Sequence, residues 1–201
     1  MFKFGILLLS MLATPILFGQ SHAGVDQNRT AFGKDVFVDQ SVKAIDGTVV
    51  TSSDATTTSS TWRGFGLKNG VGIELLRFMQ LSLNHTYVGM RAKHSSLEHF
   101  SGSELSLGLS FSFSSPVGNL VFGTAAHGAN YTYQNFNASS SFSGGGATHS
   151  VGLNYFLNSS ISLMGRFEQI NGLYTHGSGN TGLDNFTLNG QSFGLSVLIW
   201  L

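Results

Sequence analysis

The sequence contains no cysteine and only two prolines, and its charge is sparse and balanced, with ten basic and ten acidic residues. Without cysteine, neither disulfide bonds nor thiolate metal sites can stabilise the protein. Balanced charge argues against a nucleic-acid partner, which requires a basic surface, and sparse charge argues against intrinsic disorder. After residue 23 there is no run of about 18 apolar residues, so no transmembrane helix is predicted.

The first 23 residues, Met1 to Ala23, have the pattern of a cleaved secretory signal peptide. Lys3 provides a basic start, Phe4 to Phe18 an apolar core, and Ser21-His22-Ala23 a small-x-small cleavage site. Residues 24–34 are a polar lead-in that we expect in the periplasm. An uncleaved N-terminal helix is the competing interpretation, but the apolar run is short for a membrane anchor.

Residues 35–201 alternate between apolar and small polar side chains with the two-residue period of a β-strand. In the clearest segment, Glu104–Phe113, leucine and phenylalanine alternate with serine and glycine. The chain ends on a similar segment, Gln191–Leu201. Its predicted lipid-facing row is Phe193, Leu195, Val197, Ile199 and Leu201.

Eight strands are predicted, joined by connections that are alternately short and long. Short turns on one side and long loops on the other are typical of bacterial outer-membrane barrels. The count requires the irregular segment 35–51 to be the first strand, and a helix through Ile73–Leu83 is the competing interpretation near the first turn. Turns are predicted near Arg77, Pro116 and Ser159, and long loops at 52–60, 94–103, 134–146 and 172–183.

The polar faces of these strands are rich in glycine and serine rather than the lysine and glutamate of a solvated sheet. Small side chains suit the narrow interior of an eight-stranded barrel. A soluble sandwich or a lipocalin-like barrel is the alternative. For the strand 120–133 we assign Val121, Ala125, Ala129, Tyr131 and Tyr133 to the outer face. Aromatic residues near strand ends would form interfacial girdles: Tyr87, Tyr131 and Tyr133 towards the loops, and Phe78, Phe113 and Tyr155 towards the turns.

The sequence resembles the small outer-membrane β-barrel superfamily of Gram-negative bacteria. The features that carry this resemblance are the signal-peptide pattern, the eight amphipathic strands, the small-residue inner face and the apolar last strand. That group includes OmpA-like transmembrane domains and the opacity-type and adhesion-type barrels. The resemblance covers about residues 35–201 and is one of pattern rather than of a specific motif. One departure is that such barrels usually end on an aromatic residue, whereas here Trp200 is penultimate, with its side chain pointing inward, and Leu201 is last.

This resemblance implies an all-β protein, an eight-stranded antiparallel up-and-down transmembrane β-barrel, in the cell outer membrane. The expected partners are outer-membrane lipid and lipopolysaccharide, the barrel-assembly machinery and, through porin-like or adhesin-like loops, a host or extracellular ligand. We expect a monomer. Surface recognition usually resides in loops on a rigid scaffold, so the long loops are its candidates. A purely structural wall protein is the alternative.

Charged residues on the inward faces are predicted to form a cluster inside the lumen. An unpaired buried charge is costly, so mutual pairing that plugs the lumen is expected, and a narrow gated ion path is the alternative. The predicted cluster consists of Lys68, Glu74, Glu104, Arg166 and Glu168.

No pattern in the sequence predicts a catalytic, cofactor or metal site, and a non-enzymatic protein is expected. His94-Ser95-Ser96 with Glu98 would be the candidate for a lipid A deacylase or acyltransferase, but these residues lie in a predicted loop. Nothing there fixes the geometry that a nucleophile and its base require. His149-Ser150 places the two side chains on opposite faces of a strand. His94 and His99 are too weak a pattern for a metal site.

Overall fold

The computed structural model describes residues 36–53, 56–76, 78–95, 97–115 and 118–201. The predicted signal peptide (1–23) and lead-in (24–34) lie outside the described residues. Among those that are described, no helix is both long and apolar enough to cross a membrane.

Eight antiparallel strands form a closed barrel in sequence order, and the last strand pairs with the first. The predicted fold class is therefore confirmed, and the helix considered through 73–83 is wrong. The strands are β1 (Val36–Ser53), β2 (Thr56–Leu76), β3 (Met79–Ala92), β4 (Glu98–Ser115), β5 (Gly118–Asn135), β6 (Ala138–Phe156), β7 (Ile161–Gly179) and β8 (Asn185–Trp200).

The irregular segment 35–51 does supply the first strand. β1 pairs with β2 along its whole length, and with β8 from Phe37 to Ser52. Its inner face mixes apolar with charged side chains, which makes the alternation irregular in sequence. Ile45 and Val49 are 4 % and 0 % exposed there, and Asp39 and Lys43 are 2 % and 7 % exposed.

Outward-facing apolar side chains surround the outer wall, and we call them the apolar belt. On β2 they are Phe65, Leu67, Val71, Ile73 and Leu75. The closing-strand row of Phe193, Leu195, Val197, Ile199 and Leu201 belongs to the belt, at 40–64 % exposure. A belt of this extent suits hydrocarbon rather than water. A closed barrel also pairs its backbone groups within the wall, as a bilayer requires.

We call the end of the barrel with Val36 and Trp200 the terminus end, and the opposite end the rim. At the rim, the prediction of four long loops is wrong, because the strands continue through most of those residues. β4 begins at Glu98, and β7 runs to Gly179. The connections that remain are 54–55, 93–97, 136–137 and 180–184. The serine- and glycine-rich residues of the predicted loops belong instead to extensions of the strands beyond the apolar belt. There the backbone groups pair between strands, and the outward-facing side chains are polar.

The predicted inside and outside faces of β5 are inverted. Val121, Ala129, Tyr131 and Tyr133 are buried in the interior, whereas Phe122 is 44 % exposed on the outer wall. Ala125 also takes the inward parity. A one-residue error exchanges the faces of a whole strand, and the small residues 123–129 fit either face. The outer girdle therefore keeps Tyr87, Phe78, Phe113 and Tyr155 but loses the two tyrosines of β5.

The close approach of β2 to β3 provides a test of the wall geometry. A Cβ on Gly64, which takes the inward parity, would overlap the carbonyl oxygen of Gly89, whereas a Cβ on Gly89 would first meet Phe65 at 3.8 Å. Overpacking costs about 1–3 kcal/mol. We expect Gly64→Ala to lower the folded fraction and Gly89→Ala to preserve it. The measurement is the migration difference between unheated and boiled samples on a denaturing gel. A full shift for Gly64→Ala would contradict the close approach of Gly64 to the Gly89 carbonyl.

Candidate functional site

Lys43 links three strands across the interior of the barrel. Its Nζ lies 3.4 Å from Glu168 Oε2 on β7 and 3.9 Å from Glu104 Oε2 on β4. Ser192 donates a 2.9 Å hydrogen bond to the same Glu168 oxygen. Because neither carboxylate lies on a strand adjacent to β1, the interaction spans the lumen.

A second ion pair lies in the same layer. Lys68 Nζ is 2.7 Å from Asp39 Oδ2, and both side chains are less than 10 % exposed. Arg166 Nη1 approaches Glu168 Oε1 at 3.9 Å. A cavity of about 60 Å³ lies beside these groups and can hold a few water molecules.

The structure brings four of the five predicted lumen charges into this layer: Lys68, Glu104, Arg166 and Glu168. Glu74 takes the same inward parity but lies nearer the terminus end, opposite Gln80 of β3. Sequence reasoning missed the partners that β1 contributes, Asp39 and Lys43. Once Val36, Val38 and Val42 are placed outward, parity alone would assign both of these residues to the interior.

An apolar cluster fills the interior at the terminus end. Trp200 lies at its centre, with its ring centroid 4.9 Å from that of Phe37 and 6.0 Å from that of Phe156. The indole Nε1 of Trp200 donates a 3.1 Å hydrogen bond to Ser162 Oγ. The cluster consists of Phe37, Val121, Phe156, Met164, Leu198 and Trp200.

A larger apolar cluster fills the interior on the rim side of the charges. Phe100 packs against Phe186 and Trp62, with ring centroids 4.4 Å and 4.9 Å apart. Tyr131 and Tyr174 join it, and the Tyr131 hydroxyl donates a short hydrogen bond to Glu104. The aromatic residues of this cluster are Trp62, Phe100, Tyr131, Tyr133, Phe142, Tyr174 and Phe186.

Neither apolar cluster was predicted from the sequence. The inward faces were characterised by their glycines and serines, and the aromatic residues near strand ends were assigned to membrane girdles instead. Trp62 is the residue from which an apolar interior could have been predicted. The alternation of β2 places it on the inner face, and its bulk does not suit an open lumen.

At the rim, a cleft of about 690 Å³ opens between the ends of β1–β5. His94 Nε2 lies 3.4 Å from Glu98 Oε1, and the Tyr133 hydroxyl donates to Glu98 Oε2 at 3.3 Å. Burial, together with the neighbouring Glu98 charge, raises the pKa of Tyr133, which lies beyond the apolar belt, to about 12. The remaining lining is mostly hydroxyl-bearing: Thr48, Thr51, Thr58, Ser59, Ser60 and Thr61, with Trp62 and Leu183.

The structure thus joins His94 to Glu98, two residues of the candidate enzyme site. The hydroxyl of Ser95 instead accepts a 3.3 Å hydrogen bond from the backbone N–H of Leu97, and Ser96 lies outside the described residues. His149 contacts Thr124 at 3.2 Å on the outer wall. In the part of the chain that the structure describes, no three acidic, histidine or cysteine residues are grouped to hold a metal ion.

Neither a protein-family model nor a curated protein matches the sequence. Solved structures do match in fold. Neisserial surface protein A has a TM-score of 0.53 at 15 % identity, over 80 % of this chain and 96 % of that one. The outer membrane protein OprG from Pseudomonas aeruginosa has a TM-score of 0.55 at 11 % identity, over 84 % and 96 %. At these identities the likeness shows the fold, that of the eight-stranded outer-membrane barrels.

The ion pair between Lys68 and Asp39 provides a stability test. Lys68→Met would leave the Asp39 carboxylate buried without its cation, and breaking a buried pair costs about 3–5 kcal/mol. We expect the free energy of unfolding to fall by that order, measured by urea titration of tryptophan fluorescence in lipid vesicles. The matched Asp39→Asn/Lys68→Met variant should recover most of the loss. If Lys68→Met alone were as stable as the wild type, a structural role for the pair would be contradicted.

Proposed function

We propose that this outer-membrane barrel is a non-conducting and non-enzymatic protein with a structural or surface-recognition role. In this proposal the terminus end faces the periplasm and the rim faces the exterior. The observation that carries the proposal is the pair of apolar clusters that fill the lumen on both sides of the charged layer. The rim then becomes the part of the molecule that is available for interaction.

The packing of the interior supports a closed lumen. An ion entering from the rim would meet the contact between Phe100 and Phe186 before it reached the charged layer. An ion leaving towards the periplasm would meet Trp200, which is 1 % exposed. Because buried ions are stable only when paired, an apolar layer is an electrostatic barrier as well as a steric one. A gated path would require both clusters to move.

The geometry at the rim favours a binding role over catalysis. His94 is exposed, and the hydroxyl of the adjacent Ser95 accepts a hydrogen bond from the backbone N–H of Leu97. A nucleophile and its base need hydrogen-bond contact, which this arrangement lacks. The hydroxyl-lined cleft and the polar strand extensions instead offer hydrogen-bonding groups to an extracellular ligand.

We further propose that the chain acts as a monomer that the barrel-assembly machinery inserts. Because β8 pairs with β1 of the same chain, the wall leaves no strand edge for a second subunit. The apolar row from Phe193 to Leu201 is the segment available for recognition during assembly, since Trp200 points into the lumen.

Planar-bilayer recordings test the closed lumen. We expect no conductance steps from the wild type, nor from Lys68→Ala or Arg166→Ala, because both apolar clusters remain. Removing rings from both clusters, as in Phe37→Ala/Phe100→Ala/Phe186→Ala/Trp200→Ala, should produce steps, whereas either half of this set alone should not. Steps from the wild-type protein would overturn the proposal.

Shortening the β5–β6 hairpin tests surface recognition. Replacing residues 134–139 by Asn-Gly would leave the Tyr133–Ser140 pair closing a two-residue turn, so that the register and the aromatic cluster are preserved. We expect lower adherence of cells to host-cell monolayers, with an unchanged heat-dependent gel shift and unchanged surface level. Unchanged adherence would exclude this hairpin and leave the structural role as the simpler explanation.

A further inference from the structure

The lysines and arginines of the described residues fall into two groups of three. Lys43, Lys68 and Arg166 point into the lumen and form its ion pairs. The other three, Arg63, Arg91 and Lys93, face outward, and all of them lie on β2 and at the end of β3. The outer surface of the described barrel therefore carries its basic side chains in one place, which we call the basic patch.

Strand pairing concentrates positive charge within the basic patch. Arg63 and Arg91 are direct cross-strand partners, and both are exposed. Like charges directly opposite each other on neighbouring strands are destabilising. Lys93 lies two residues beyond Arg91 on the same face and continues the pairing, since its N–H donates a 2.9 Å hydrogen bond to the Thr61 carbonyl.

One carboxylate neutralises only part of this charge. Asp46 on β1 accepts from Arg63 Nε at 3.1 Å and from Lys93 Nζ at 3.0 Å. Partial desolvation would raise the pKa of Asp46, but hydrogen bonds from Lys93 and Arg63 outweigh it and hold the pKa below its usual range. Among the described residues, no carboxylate is within ion-pair distance of Arg91. Three cations thus share one anion.

The position of the basic patch relates it to the membrane surface. The next outward-facing residues towards the terminus end are Ala44, Phe65 and Gly89, in register with one another. Beyond them, Leu67 and Tyr87 are 48 % and 49 % exposed within the apolar belt. The cations therefore lie at the rim-side boundary of the belt, at the depth where lipid headgroups meet the wall.

We propose that the basic patch binds the phosphate group of a lipid headgroup in the membrane leaflet nearest the rim. A phosphate supplies the anionic charge that Asp46 does not, and guanidinium groups match phosphate oxygens in bidentate geometry. The lipid's acyl chains would lie along Phe65, Leu67 and Tyr87. The inference extends the membrane placement proposed above and does not depend on whether the lumen conducts.

Titration with a phosphorylated lipid tests the proposal. The full-length protein, folded in non-ionic detergent, is mixed with micelles that contain bisphosphorylated lipid A, and the dissociation constant is measured by fluorescence. Arg63→Gln/Arg91→Gln/Lys93→Gln should weaken binding by about tenfold or more, because charge-assisted hydrogen bonds are lost. Asp46→Asn should strengthen binding by about threefold, because it releases Arg63 and Lys93 from an exposed ion pair. Asn130→Ala/Ser143→Ala, an exposed cross-strand pair on β5 and β6, is the matched control and should bind as the wild type does.

Two further arms identify the source of the phosphate. Dephosphorylated lipid A should bind as weakly as the triple variant, and free pyrophosphate should compete only at concentrations far above those of the lipid. Equal affinity of the wild type and the triple variant would overturn the proposal, as would equal binding of the dephosphorylated lipid. Effective competition by pyrophosphate would also overturn it, in favour of a soluble phosphate compound. Each variant is compared by its heat-dependent gel shift, and Asp46→Asn remains informative if the triple variant does not fold.

Discussion

Pairing between β1 and β8 is the constraint on which the rest of the structure depends. Without it the sheet would expose the backbone groups of two strands to lipid, where each unpaired group costs several kcal/mol. Closure also fixes a narrow interior that must be filled by side chains. The charged layer, the two apolar clusters and the apolar belt are all consequences of a wall with no edge.

Within that interior, charge and apolar packing have separate roles. The ion pairs of Lys43 and Lys68 neutralise one another in a middle layer, while rings such as those of Trp200 and Phe186 close the space on either side. Apolar side chains thus lie on both sides of the charged layer. On the outer surface, polar and charged side chains interrupt the apolar wall at the rim and at the basic patch.

Much of this architecture could be predicted from two-residue periodicity, because lipid contact on one face and a packed interior on the other force strict alternation. Strand number, the short turns and the faces of six strands follow from it. Periodicity failed where residues are small: the alanines and glycines of β5 fit either face, so Tyr131 and Tyr133 were misplaced. It also failed beyond the apolar belt, where polar strands and loops share one composition. Asp39 and Lys43 were missed because apolar Ile45 and Val49 share the inner face of β1 with them and conceal its alternation.

The distribution of charge along the chain bears on the order of assembly. Glu104 lies on β4 and Glu168 on β7, whereas Lys43, whose ammonium group lies near both carboxylates, is on β1. A sheet that has formed its hairpins but has not curled round brings Lys43 to neither glutamate. Neutralisation across the lumen therefore accompanies curvature and closure, and an uncurled sheet holds Glu104 away from the Lys43 ammonium group. The first strand therefore brings its shared cation to both carboxylates only when the ring is complete.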